Sequence, residues 1–262
     1  MKPRSRNDSG FSLLELLMAT AIFLVICGAM FGLLQVSQQK YTIESQLSDS
    51  FQGARLGVDQ IVRDVNISGY PSLALFSTPA SSASFALGPF AWAPGYLSNT
   101  DCQIGSICST PGDYDLLVET NLDGNGVSWI HYQLQGTTLF RGVVAKTAGT
   151  DPVAATSAAG VMTPFVKNVV NNTAALSAAV LGRINALYPS MFPLGPQPLF
   201  AYSCATPSGS VACSTAGIYN APRYISDVDI TLIVMTPTPD PQTQAVKLIE
   251  LTSRGHRSNP GN

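Results

Sequence analysis

GFSLLELLMATAIFLVICGAMFGLLQV, residues 10–36, decides how this chain is built. From Phe11 to Val36 it carries one charge, Glu15. About 20 apolar residues suffice to cross a bilayer, so the run is long enough to span one. Lys2, Arg4 and Arg6 precede it. Basic residues on that flank keep the first ten residues in the cytoplasm and send the body across. Glu15 is the anomaly. A carboxylate near the membrane centre costs about 2.5–3.5 kcal/mol and is functional by default, although one turn into the run it can snorkel.

An ordinary secretory signal fits poorly. Its apolar region is about 7–15 residues long and ends at a small-residue cleavage site, whereas this run is longer and QVSQQKYT follows it. A lipoprotein reading would use Cys27, but Ile26 precedes it where a small residue is wanted. A plain signal anchor leaves Glu15 unexplained.

Gly10-Phe11-Ser12-Leu13-Leu14-Glu15 resembles the recognition site of type IV prepilins. The family has a short basic leader ending in Gly, then Phe, then a Glu four residues on, then an apolar helix. The resemblance implies a pilin fold, an α+β layout with a long N-terminal helix packed on an antiparallel β-sheet head. It implies cleavage between Gly10 and Phe11 by a prepilin peptidase and N-methylation of the new Phe11 amine. It also implies an assembly role for Phe11 and Glu15, the Glu15 of one subunit neutralising the Phe11 amine of a neighbour. In an apolar bundle such a pair enforces register, because either charge left alone is costly.

The helical pattern continues beyond the membrane run. Tyr41, Leu47, Phe51, Ala54, Val58, Ile61, Val62 and Val65 recur mostly at spacings of three and four. Gln46, Asp49, Gln52, Arg55, Asp59 and Arg63 fill the other face. This is an amphipathic continuation, ending near Ser68-Gly69-Tyr70-Pro71. The domain reading is a leader at 1–10, a transmembrane or filament-core helix at 11–36, its amphipathic continuation at 37–70, a β-rich head at 71–254 and a flexible tail at 255–262.

Within the head, 71–113 reads as a Ser-, Ala-, Gly- and Pro-rich loop carrying Trp92. Strands are expected over 114–120, 127–135 and 137–144, the last two joined at Gln135-Gly136. An apolar run covers 165–170, an Ala-rich helix 173–187 and a strand 199–204. A final hairpin pairs 226–236 with 244–253. Asn121 to Gly126 and the Tyr132–Arg141 hairpin resemble PilW-type minor pilins, to which the J-type pseudopilins of type II secretion are related. The Ala-rich insert at 173–195 departs from a minimal pilin head.

Only 11% of residues are charged and the net charge is −2. That is too little for a nucleic-acid surface. The leader holds +2 (Lys2, Arg4 and Arg6 against Asp8), leaving −4 for the remainder. Cys102 lies near Cys108 and Cys204 near Cys213, in Gly/Ser/Pro-rich surroundings. Two local disulfides, Cys102–Cys108 and Cys204–Cys213, are expected in an oxidising compartment, although four cysteines allow three connectivities. Cys27 should stay free in the apolar helix.

Asn121, Asp123 and Asn125, with Gly126, occupy positions 1, 3, 5 and 6 of a calcium loop, but position 12 is Tyr132. A β-turn explains Asp-Gly and Asn-Gly equally and is the reading preferred. No hydrolase, zinc-protease or CxxC motif is present, and the histidines are His131 and His256 alone. The expectation is a structural protein without catalysis or cofactor. The first functional reading is a minor pilin priming or decorating a type IV pilus (a fimbrium). A secretion pseudopilin and a tethered ligand-binding or adhesive head are the alternatives. Implied partners are other pilin subunits, prepilin peptidase, an inner-membrane assembly platform and a pilus-tip adhesin. The implied location is the inner membrane, single-pass, with a periplasmic head that reaches the filament or cell surface on assembly.

Overall fold

The computed structural model describes residues 12–71, 90–91, 112–146, 162–192, 195–220, 224–240 and 245–259. The chain divides into two compact units, Met1–Ser45 and Gln46–Asn262. Helix α1 spans Leu13–Asn66, 54 residues. That length far exceeds what helix propensity or a globular core would set, and it follows from two successive apolar patterns. In the first unit Leu13, Leu17, Phe23, Val25, Met30 and Leu33 are all exposed. The helix is long and apolar enough to cross a membrane. Such a surface calls for lipid or other helices rather than water.

In the second unit the pattern turns one-sided. Ala54, Val58, Ile61 and Val65 are buried at steps of four, three and four. They join Val118, Ile130, Tyr132, Phe200, Val228 and Ile230 in the main core. Gly57 and Gly255 let the chain approach closely. A Cβ on Gly57 would stand 2.5 Å from Val166 Cγ2, and one on Gly255 2.6 Å from Val65 Cγ1.

The head is α+β with two antiparallel sheets, where one was expected. The first has the order β1-β2-β3-β4-β5: Phe90–Ala91, Asp115–Thr120, Ser128–Gln135, Thr138–Ala145 and Thr163–Lys167. The second has the order β7-β6-β8-β9: Gly209–Ala212, Phe200–Thr206, Ile225–Met235 and Leu248–His256. They meet where Val169 bridges Val234 and the Leu199 N–H donates to the Asp113 carbonyl at 2.9 Å. The β3–β4 turn falls at Gly136, φ +60°, as the Gln-Gly pair indicates.

Several boundaries differ from the sequence reading. The region expected to be one loop over 71–113 contributes β1, paired with Leu117 and Val118 of β2. Strand β7 is new, formed when β6 turns back at Pro207-Ser208. The Ala-rich helix is two pieces, a 3-10 turn at Thr173–Ala175 and helix α2, Ala178–Leu187, because Ser177 caps α2 by accepting from the Val180 N–H. Helix α2 places Ile184 in a second core with Val170, Phe192, Ile233 and Val246. The flexible tail expected from Gly255 is corrected. Gly255 and His256 pair with Val228 and Asp227 in β9. The Ser258 N–H and Asn259 Nδ2 donate to the carbonyls of Asn66 and Ser68 at the end of α1. A helix end has carbonyls without internal partners, and the C-terminal segment satisfies them.

Candidate functional site

The candidate features lie at the start of α1 and in the groups that fasten its second half to the head. At the start, the Ser12 N–H donates to Glu15 Oε2 at 3.2 Å, and the Glu15 N–H donates to Ser12 Oγ at 3.4 Å. This is a reciprocal capping box, Ser-x-x-Glu, that satisfies two donors of the helix start. Ser12-Leu13-Leu14-Glu15 spells it plainly, yet the sequence reading gave Glu15 a filament role alone. A negative side chain in the first turn also suits the helix dipole. Thr20 turns its hydroxyl back to the carbonyls of Leu16 and Leu17, both at 3.0 Å. Gly10 and Phe11 lie outside the described residues.

At the other end, Asp64 is buried on the helix face that meets the first sheet. Its Oδ2 accepts from Tyr132 Oη at 2.6 Å and from Arg141 Nη2 at 2.9 Å, while Oδ1 accepts from Gln60 Nε2 at 2.8 Å. The Arg141 guanidinium also lies 5.6 Å from the Tyr132 ring centroid. Burial, then the Asp64 carboxylate, pushes the Tyr132 phenol far above the ordinary tyrosine value. A buried carboxylate demands such partners. A signal for it exists in the sequence: Asp64 follows Ile61 by three and so falls in the apolar stripe.

A second buried pair lies on the opposite face of the first sheet, where Trp129 packs with Leu117. Lys146 Nζ lies 2.9 Å from Glu119 Oε2, and Trp129 Nε1 donates to Glu119 Oε1 at 2.8 Å. The same strand end grips the helix end. Thr120 Oγ1 donates to the Ile67 carbonyl at 2.7 Å, and the Gly69 N–H donates to the Glu119 carbonyl at 2.8 Å. Neither ion pair was foreseen.

Cys204 and Cys213 are joined, with Cα atoms 4.9 Å apart, closing β6 onto the turn after β7. Cys102 and Cys108 lie outside the described residues. Cys27 is a free thiol. In the Asn121–Gly126 loop the side chains serve the loop itself. Asn121 Oδ1 accepts from the Gly124 N–H at 2.8 Å, and Asp123 accepts from the Asn125 N–H at 3.0 Å and from its Nδ2 at 2.9 Å. Gly124 and Gly126 have φ of +81° and +132°. This is the turn chemistry of Asx residues and glycine. Among the described residues no three His, Cys, Asp or Glu side chains are grouped to hold a metal. His131 is buried with Nε2 3.2 Å from Asp115 Oδ1 and its Nδ1 without a partner. His256 Nδ1 meets Asp227 Oδ1 at 2.8 Å on the exposed side of the second sheet. Among the described residues, neither histidine has a nucleophile as a hydrogen-bond partner.

Residues 5–31 match the family described as the Prokaryotic N-terminal methylation motif. The match takes in the second half of the leader with Arg6, Gly10-Phe11 and the apolar part of α1 through Phe31. No curated protein and no solved structure matches the chain.

Proposed function

We propose that this chain is a minor pilin, anchored in the inner membrane by α1 and built to enter or prime a type IV pilus. The match over residues 5–31 is to a type IV pilin-like prepilin signal, and it supports a pilin- or pseudopilin-like protein processed by prepilin peptidase. An apolar helix followed by antiparallel sheets is an α+β layout consistent with a pilin fold. On this reading Gly10 and Phe11 flank the scissile bond, the head lies in the periplasm, and the PilW-type branch is favoured by the Tyr132–Arg141 hairpin. The partners are other pilin subunits, the assembly platform and a pilus-tip adhesin. Catalysis has no place in it.

The observation that carries the reading is Glu15, one carboxylate in an otherwise uncharged apolar run. In the uncleaved chain its carboxylate caps Ser12. Cleavage at Phe11 creates a free amine one helical turn away. In a stack of helices, that amine on a neighbouring subunit is the charge that compensates Glu15. Glu15→Ala tests this. Insertion and cleavage should proceed, but the variant should no longer co-purify with other pilin subunits or with sheared filaments. A Glu15→Ala chain recovered in the assembly at wild-type level contradicts the proposed role.

A further inference from the structure

The second sheet ends in an edge that nothing covers among the described residues. Parity shows which groups are open. The Thr236 N–H donates to the Lys247 carbonyl and the Arg257 N–H to the Ser226 carbonyl, both at 2.9 Å. In the unbroken β8–β9 register, odd-numbered β9 residues therefore bond β8 and even-numbered ones face outward. The outward N–H of His256 is taken by Asn66 Oδ1 at 2.9 Å, and that of Ser258 by the Asn66 carbonyl. Helix α1 thus closes one end of the edge. Leu248, Glu250, Thr252 and Arg254 have no backbone partner on the outward side among the described residues. Natural edges are usually blunted by proline, a bulge or charged side chains, lysine above all, and of the charges on β9 Arg254 is engaged by Asp229. Between Leu248 and His256 there is neither proline nor lysine, and no register shift.

We propose that this edge of β9 accepts an added strand from a second membrane-anchored subunit of the assembly; this rests on the pilin reading above. A row of open amides and carbonyls is specific for extended backbone. The side chains state the rest of the partner's chemistry. Ile249 and Leu251 are half-buried on the core side, whereas Glu250, Thr252 and Arg254 are exposed. Arg254 is matched by Asp229 at 2.5 and 2.9 Å. Glu250 stands opposite Ile233, which leaves its charge for the incoming strand. The partner strand therefore alternates apolar and polar residues and places a Lys or Arg opposite Glu250.

Direction argues against a second copy pairing β9 with β9. Thr238 Oγ1 donates to Gln46 Oε1 at 2.7 Å at the hairpin end, while Gly255 and His256 meet Val65 and Asn66. Strand β9 thus runs in the same sense as Gln46–Asn66. Two-fold pairing of β9 strands would set those helix segments antiparallel, although the pairing would bring Glu250 opposite Arg254. Subunits stacked with their Gln46–Asn66 segments in one sense cannot adopt that arrangement.

The test uses the full chain in its own membrane, together with the other subunits that carry a prepilin leader. Thr252→Pro removes an outward N–H while leaving every β8 bond in place, a position where edge strands tolerate proline. Its recovery with those subunits should fall about tenfold, with Thr252→Ala unaffected. A photoreactive benzoylphenylalanine at position 252 should cross-link to one extended segment of another such subunit, and this decides the matter if the proline variant does not fold. Wild-type recovery of a folded Thr252→Pro chain, or cross-links confined to copies of this chain, overturns the proposal. Gly10→Val separates the two ideas. If it abolishes assembly while Thr252→Pro does not, the pilin reading stands and the edge fails; if Gly10→Val assembles normally, the pilin reading itself fails.

Discussion

At the scale of single residues, Asp64 ties the helix to the first sheet through its carboxylate. It is buried, and Tyr132, Arg141 and Gln60 are all arranged around it. Removing one member of a buried pair leaves the other uncompensated. Asp64→Ala should therefore destabilise the head by about 3 kcal/mol, measured by denaturant unfolding of the chain in detergent. A loss near zero would mean that Arg141 finds solvent easily. The phenols give a second test. Burial first, then the Asp64 carboxylate, raises the Tyr132 pKa; burial, then Asp115 and Asp113, raises that of Tyr202. The folded state thus holds both protons more tightly than the unfolded chain. Their contribution is fully present below the unfolded value of 10.0 and is lost as pH climbs through the higher folded values. Absorbance of tyrosinate should show exposed tyrosines titrating first, with Tyr132 and Tyr202 ionising only as the head unfolds. Tyr132→Phe should keep one late tyrosine, Tyr202.

At the scale of elements, close approach of backbone sets what α1 can pack against. Gly255 passes Val65 so closely that an added methyl meets Val65 Cγ1 at 2.6 Å. Gly255→Ala should cost about 1–3 kcal/mol through overpacking. The same methyl on exposed Gly53, which has no neighbour within 4 Å, should be neutral or stabilising. Differential scanning fluorimetry of the two variants compares them directly. The helix itself was legible in the sequence because two apolar patterns, one all round and one one-sided, follow each other without a break. Strands β2, β3, β4 and β8 were legible for a similar reason, as apolar, β-branched runs between glycine and proline signals. Other features were not. Strand β7 is four exposed residues, with no alternation to read. The last strand runs past Ser253 through a glycine and a histidine, where local propensity is poor and pairing with β8 decides. The Glu119–Lys146 pair joins residues 27 apart, a distance that no local pattern spans.

At the scale of the whole molecule, the head is held by two sheets, the helix segment packed on them and the Cys204–Cys213 link. That link spans nine residues. Reducing it should cost about 2–3 kcal/mol by releasing the unfolded chain. Urea unfolding with and without reductant measures this. Non-reducing peptide mapping should also find Cys102 joined to Cys108. The site was only half legible from sequence. Gly10, Phe11 and Glu15 are singled out by their resemblance to a prepilin recognition site, and Glu15 also by being the one charge in the apolar run, and both signals are local. The tie between Glu15 and Ser12 is equally local, a Ser-x-x-Glu pattern, while the fastening of α1 to the head depends on residues far apart in sequence.

A pilin must lose its leader before it can assemble. Intact-mass analysis and N-terminal sequencing of the chain, isolated from membranes that contain prepilin peptidase, test this loss most directly. The mature protein should begin at Phe11, carry one added methyl on its amine, and lack residues 1–10. A chain that keeps Met1 and the basic leader in those membranes, or that begins elsewhere in the apolar run, contradicts the account.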